Sequence, residues 1–313
     1  LGLRNLTIIE RILKIINYGQ TDPFKLAEIP LHDELTFQLL QQGDTTGVFQ
    51  LESAGMRQAL KQINPTKFED VVAVNALFRP GPMESIPLYA KRKAGQAPVT
   101  YEHPILEPIL KETYGIIVYQ EQIMQIASKM AGFTFGEADL LRRAVSKKNR
   151  EVLQSERVHF VQKAIQEGHS DQSATAVYDL IVRFADYGFP KSHAVAYSVI
   201  SFQMAYLKAH FPVAFYSALL SIATGNQVKI NELMMEMRQK DMVILAPSIF
   251  SSQRFFTVES GGIRFGLQAI KGVSHNFIQK LLQQRKERES QWEDIFELAS
   301  DLSAVYFTRK NVE

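Results

Sequence analysis

The stretch at 137–150 carries the side chains best suited to chemistry. On a helix turning about 100° per residue, Arg142, Arg143, Ser146, Lys147 and Arg150 gather on one face, opposite Leu140, Leu141, Ala144 and Val145. The apolar side would anchor such a helix while the other presents a row of cations. Guanidinium binds phosphate oxygens in bidentate fashion and ammonium adds point charge, so the row suits a polyphosphate. The same residues also suit a solvated helix face on which Asp139 pairs with Arg143 four residues on.

Three other places bear on an anionic ligand. In Phe78-Arg79-Pro80-Gly81-Pro82, two prolines flank a glycine, and Pro80 forces Arg79 into extended backbone that fixes where its side chain starts. A plain surface turn accounts for it equally well. Phe189-Pro190-Lys191-Ser192-His193 precedes a nearly all-apolar run at 194–210. With Ser192 as N-cap, Lys191 and His193 would sit at the positive end of a buried helix, where free N–H groups and the helix dipole attract anions. A capped core helix with a surface lysine is the plainer alternative. Finally, Leu267-Gln268-Ala269-Ile270-Lys271-Gly272-Val273-Ser274 leads into a helix. A glycine hairpin between two short helices can offer backbone N–H groups to a nucleic-acid phosphate.

The sequence also excludes much. It has no cysteine, hence no disulfide framework, thiolate zinc site or cysteine nucleophile. Its seven histidines show no metal-ligand spacing, and no Walker loop, GxGxxG, GxSxG or close aspartate pair occurs. The residues are equipped to bind phosphates and short of the means for catalysis. A net charge of +2 does not by itself call for a polyanion, so any such partner must be met by local clusters. No span reaches the ~20 apolar residues of a membrane helix, and no secretory leader pattern is present. At 313 residues, two domains are expected.

The elements that must position these residues read as mostly helical. Helices are predicted at 3–17, 32–42, 49–63, 68–77, 120–130, 152–167, 173–187, 194–210, 212–223, 230–240 and 292–302, with a short strand at 114–120. From about 241 the pattern changes to short strands at 242–245, 254–258 and 263–265, with Gly261-Gly262 as the hairpin turn.

Taken together, five stretches resemble the alpha subunit of bacterial DNA polymerase III, the C-family replicative polymerase, in its DnaE branch and of a Gram-positive kind. They are Gly47-Val48-Phe49-Gln50-Leu51-Glu52-Ser53, Ala76-Leu77-Phe78-Arg79-Pro80-Gly81-Pro82, Tyr114-Gly115-Ile116-Ile117-Val118-Tyr119-Gln120-Glu121-Gln122, Asp139-Leu140-Leu141-Arg142-Arg143-Ala144, and Tyr187-Gly188-Phe189-Pro190-Lys191-Ser192-His193-Ala194-Val195-Ala196-Tyr197. They occur in the family's order over almost the whole chain.

The resemblance implies a mainly α, multi-helix polymerase fingers region with a small α+β C-terminal part containing a helix-hairpin-helix. It implies an exit from the palm at 1–5, fingers at 6–240 and the start of the clamp-binding region at 241–313. It implies that Arg142 and Arg143 contact the triphosphate of an incoming dNTP, with Arg79, Lys147, Lys191 and His193 as neighbours of the nucleotide. Lys148, Arg150 and the hairpin Lys271, Gly272, Val273 and Ser274 fall to primer-template DNA. Ser274 stands where a second glycine is usual and Pro190 where asparagine is common, two departures that bear on phosphate and polar contacts. The family's Mg²⁺ ions are held by three palm aspartates, which the resemblance places before Leu1. No catalytic or metal-binding residue is therefore expected in this chain, and alone it is expected not to polymerise. The sliding clamp and other replisome subunits, met mostly through other regions, are the further partners, in the bacterial cytoplasm. Two rivals are a non-catalytic helical DNA-binding module and a scaffold whose basic faces meet acidic proteins.

Overall fold

A computed structural model describes residues 4–146, 150–185, 188–288 and 292–302. Helices dominate, as the periodicity predicts. First comes α1 (Arg4–Ile16), followed by α2 (Glu34–Gln41), α3 (Ala54–Ile63), α4 (Phe68–Leu77), α5 (Ile86–Lys93), α6 (Glu107–Leu110), α7 (Gln120–Ala131), α8 (Phe135–Ser146), α9 (Arg150–Gln166), α10 (Asp171–Ala185) and α11 (Lys191–His210). Then come α12 (Pro212–Ile222) and α13 (Gln227–Gln239), three short strands β1 (Ile244–Leu245), β2 (Thr257–Glu259) and β3 (Gly262–Arg264), and finally α14 (His275–Glu287) and α15 (Ile295–Leu302). The described residues fall into two compact units, one at Ile29–Tyr206 and the other from the residues up to Glu28 and from Leu207 onward.

In the unit at Ile29–Tyr206, local chemistry sets the helix ends. Asp33 and Ser53 cap α2 and α3 by accepting the N–H groups of Thr36 and Met56. Asn64, in left-handed backbone before Pro65, ends α3. At the start of α4, the carboxylate of Asp70 accepts the N–H groups of Thr66 at 2.9 Å and Lys67 at 3.3 Å. It is fully buried and is also paired with Lys93 Nζ at 3.3 Å. The core of α6–α10 is built from Ile126, Met130, Leu141, Phe160 and Ile181, all buried.

The strand expected at 114–120 is not formed. Ile116, Ile117 and Val118 are buried in succession rather than alternately, and only Tyr119 makes a bridge, parallel to Phe189. The segment's polar groups are met instead by the buried amide of Gln122, which accepts from the N–H groups of Val118 and Tyr119 and donates to the hydroxyl of Thr113.

In the other unit, α1 buries Ile8, Ile9 and Ile12 and packs on α12, where Arg4 donates to the carbonyl of Ile222 at 2.8 Å. Buried Lys208 and the Tyr216 hydroxyl converge on one oxygen of Glu236, at 2.9 and 2.5 Å. The strands form one sheet in the order β1-β3-β2, with β1 parallel and β2 antiparallel to β3. β1 and β2 are shorter than predicted, β2 is shifted toward the turn, and β3 keeps its predicted length one residue earlier. Gly262 opens β3 at φ 142°, and a Cβ there would lie 2.3 Å from the Val243 carbonyl oxygen. The first helix of the expected hairpin is only a 3₁₀ turn at Leu267–Ala269, and the second is α14, which packs Phe277, Ile278 and Leu281 against Trp292 and Leu302.

Candidate functional site

α8 begins at a capping box. Thr134 accepts the N–H of Glu137, and the Glu137 carboxylate returns to the Thr134 N–H at 2.7 Å. Lys163 of α9 adds an ion pair to Glu137 at 2.8 Å. Together these contacts hold the Glu137 carboxyl at about 2, well below its ordinary 4.5, with the Lys163 hydrogen bond as the largest cause. The signature Thr-x-x-Glu at 134–137 is legible in the sequence itself.

The inner face of α8 differs from the predicted one. Ala138, Leu141 and Ala144 are buried, while Leu140 is 61% exposed. Adjacent residues lie about 100° apart on a helix, so Leu140 and Leu141 do not share one inward direction, and small Ala138 lets α7 approach instead. On the outer face, Asp139 lies between both arginines, at 2.6 Å from Arg142 and 2.8 Å from Arg143. The pairing of Asp139 with Arg143 that suits a solvated face is therefore present. Arg142 also donates to Gln120 Oε1 of α7 at 3.0 Å. Its side chain is 25% exposed against 62% for Arg143, so Arg142 is set in place and Arg143 reaches outward. Hydrogen bonding from Arg142 is also the main reason the Asp139 carboxyl lies below its ordinary value.

Arg79 and His193 meet around Phe189, with Lys191 two residues further along the chain. The Arg79 guanidinium stacks over the Phe189 ring at 4.4 Å and donates to the Ala76 carbonyl at 3.0 Å. Burial lowers its pKa from the ordinary value, and an arginine stays charged through such a shift. His193, exposed, stacks between Phe189 and Tyr197, with ring centroids at 5.2 and 4.1 Å. Lys191 Nζ is paired with Glu112 at 2.7 Å and lies 5.4 Å from the Tyr119 ring. Phe189 is bound to α7 through its backbone, donating to Val118 and accepting from Gln120.

Ser192 is not the N-cap of α11. The helix starts one residue earlier, at Lys191, and the Pro190 carbonyl accepts the first helical N–H, that of Ala194. The positive end of α11 already holds an anion of the protein's own, because the Glu121 carboxylate accepts the Lys191 N–H at 2.9 and 3.0 Å.

Four of the predicted residues, Arg79, Arg142, Lys191 and His193, thus share one framework of α7, Phe189 and the start of α11. Lys147 and Lys148 lie outside the described residues, as does the side chain of Arg150, whose backbone begins α9. Lys271, Gly272, Val273 and Ser274 belong to the other unit. There Gly272 adopts φ 95°, the Val273 N–H donates to Ile270, and the Ser274 hydroxyl caps α14 by accepting the Phe277 N–H at 3.2 Å. Sequence reading missed Glu112, Glu121 and Gln120 as organisers of the site. Gln120 and Glu121 stood inside a quoted motif, but Glu112 pairs with a residue 79 positions away and left no local signal.

Among the described residues, no group of three or more His, Asp or Glu side chains is placed to hold a metal ion. No helix among them is long and apolar enough to cross a membrane.

A family model described as the bacterial DNA polymerase III alpha subunit finger domain matches residues 5–168, and a helix-hairpin-helix motif model matches residues 241–313. Over its full 313 residues the chain is 52% identical to DNA polymerase III subunit alpha of Bacillus subtilis, 50% to that of Halalkalibacterium halodurans and 47% to that of Staphylococcus aureus strain COL. It spans 28%, 28% and 29% of those relatives' own lengths.

Proposed function

The chain belongs to the finger-domain family of the bacterial DNA polymerase III alpha subunit, and on that premise we propose that its α8 arginines bind the triphosphate of an incoming dNTP. Primer-template DNA lies beside them, and the chain serves as the fingers part of template-directed DNA synthesis in the bacterial cytoplasm. The observation that carries this reading is the arrangement of Arg142, tied to Asp139 and Gln120 at once, next to outward-reaching Arg143. Cations held in advance of the ligand need no reorganisation when charge develops on the departing pyrophosphate. Arg79, Lys147, Lys191 and His193 are neighbours of the nucleotide. Lys148, Arg150 and the hairpin 271–274 grip the DNA backbone.

The proposal divides the chain functionally into a palm exit at 1–5, fingers at 6–240 and the start of a clamp-binding region at 241–313. The Mg²⁺ ligands for nucleotidyl transfer, and most contacts with the sliding clamp and other replisome subunits, belong to other parts of the longer protein. This chain alone is then expected to bind nucleotide and DNA without extending a primer.

The test is calorimetric dNTP binding beside DNA binding. Arg142→Ala and Arg143→Ala should each lower dNTP affinity about tenfold or more, the loss of a charge-assisted hydrogen bond. Variants that bind dNTP normally and DNA poorly would instead support a non-catalytic DNA-gripping module.

A further inference from the structure

A groove between α7 and α8 adjoins Arg142, and its apolar part has no role in the reading above. It encloses about 600 Å³. Its walls are two stripes at helical spacing, with Met124 and Ser128 on α7 facing Phe135 and Ala138 on α8. Buried Ala138 contributes only a methyl group, which leaves the groove deep. Phe135 at one end is 80% exposed, although it heads a helix with a well-packed inner face. Arg142 stands at the other end, seven residues on and on the same side of α8.

An exposed aromatic ring, an apolar floor and a fixed arginine two turns away form the combination that binds single-stranded nucleic acid, with bases stacking on the ring and phosphates meeting the cation. We infer that this groove takes an unpaired base of a DNA strand, with Phe135 as its stacking face. The inference rests on the reading of Arg142 as a phosphate-binding residue. A volume of this size suits a ligand as large as a nucleoside. The rim favours a base over an apolar peptide. Exposed Gln125 and Ser128 and the carboxylate of Asp139 offer donors and acceptors to a base edge, whereas an apolar side chain would leave them unmatched. Bases within a duplex are already stacked and paired, so the groove selects an overhang over blunt DNA.

The test uses this chain with primer-template DNA whose first unpaired template positions carry 2-aminopurine in turn, beside a blunt duplex. Binding is followed by anisotropy and stacking by the base's fluorescence. The protein should bind the overhang more tightly than the blunt duplex and quench the probe at one position. Phe135→Ala should abolish the quenching and cost about tenfold in overhang affinity while leaving the blunt duplex unaffected. Phe135→Trp should restore both effects, and Phe135→Leu neither. Because Phe135 is exposed, these changes leave the fold intact. If Phe135→Ala matches the parent while both DNAs still bind, the inference falls and the nucleotide and DNA reading stands. Full restoration by leucine would overturn ring stacking, leaving plain apolar contact as what holds the overhang. If neither DNA binds at low salt, the underlying reading fails and the inference with it.

Discussion

The Arg142 guanidinium donates to Gln120 Oε1 at 3.0 Å, and Gln120 Nε2 donates at 3.0 Å to the carbonyl of Gly188. One amide therefore links the cation of α8 to the segment that starts α11. Neither end of this relay is close in sequence to the other, so it orders the site without being a feature of any single helix.

Replacing Gln120 with alanine should release Arg142 from one of its two restraints. The lost hydrogen bonds are worth about 1 kcal/mol each in stability. Nucleotide affinity should fall severalfold, because a freed arginine must be ordered again on binding. Calorimetry with a dNTP checks this, and an affinity equal to that of the parent would mean that the relay has no part in binding.

Asp70 sits at the start of the helix that leads to Arg79. Its carboxylate is fully buried among backbone N–H groups and Lys93. Asp70→Ala takes away the ion partner of Lys93, leaving it the Asn64 carbonyl alone, and strands two N–H groups, and should cost about 3–5 kcal/mol of stability. Urea unfolding followed by circular dichroism would show it, whereas a loss below about 1 kcal/mol, the range of a surface pair, would contradict the burial argument.

Glu137 gives α8 a pH dependence of known sign. Its carboxyl lies at about 2 in the folded chain against an ordinary 4.5. A depressed carboxylate stabilises fully above the unfolded value and loses that contribution as pH falls through the folded one. Its share of stability is therefore present above about 4.5 and lost toward pH 2. Glu137→Gln keeps an acceptor for the cap and removes the titration, so its melting temperature should change less across that window than the parent's. Parallel curves would count against the Lys163 pairing.

Much of this was legible from residue types. The helix at Phe68–Leu77 was predicted to the residue, and α7 and α12 to within one residue at their ends, because caps and apolar spacing act locally. The mainly α fold, the change to short strands near 241 and the hairpin glycine were likewise readable. What failed was set by distant packing. Residues 114–120 have strand composition, yet the N–H groups of Val118 and Tyr119 go to Gln122 and the segment's only bridge goes to Phe189, 70 residues beyond Tyr119. Leu140 looked like core and points outward because Ala138, not a large side chain, meets α7. The cationic row on α8 was visible, but its ties to Asp139 and Gln120 depend on which helix lies alongside.

The most direct measurement is primer-template binding to this chain by fluorescence anisotropy across a salt series, for the parent, Lys148→Ala and Lys271→Ala. Each neutralised phosphate contributes roughly −0.9 to the slope of log K against log salt. The account predicts a steep linear decline for the parent and a slope shallower by about one contact in each variant. Absence of binding at low salt by folded protein, or binding that ignores both salt and these lysines, would contradict it.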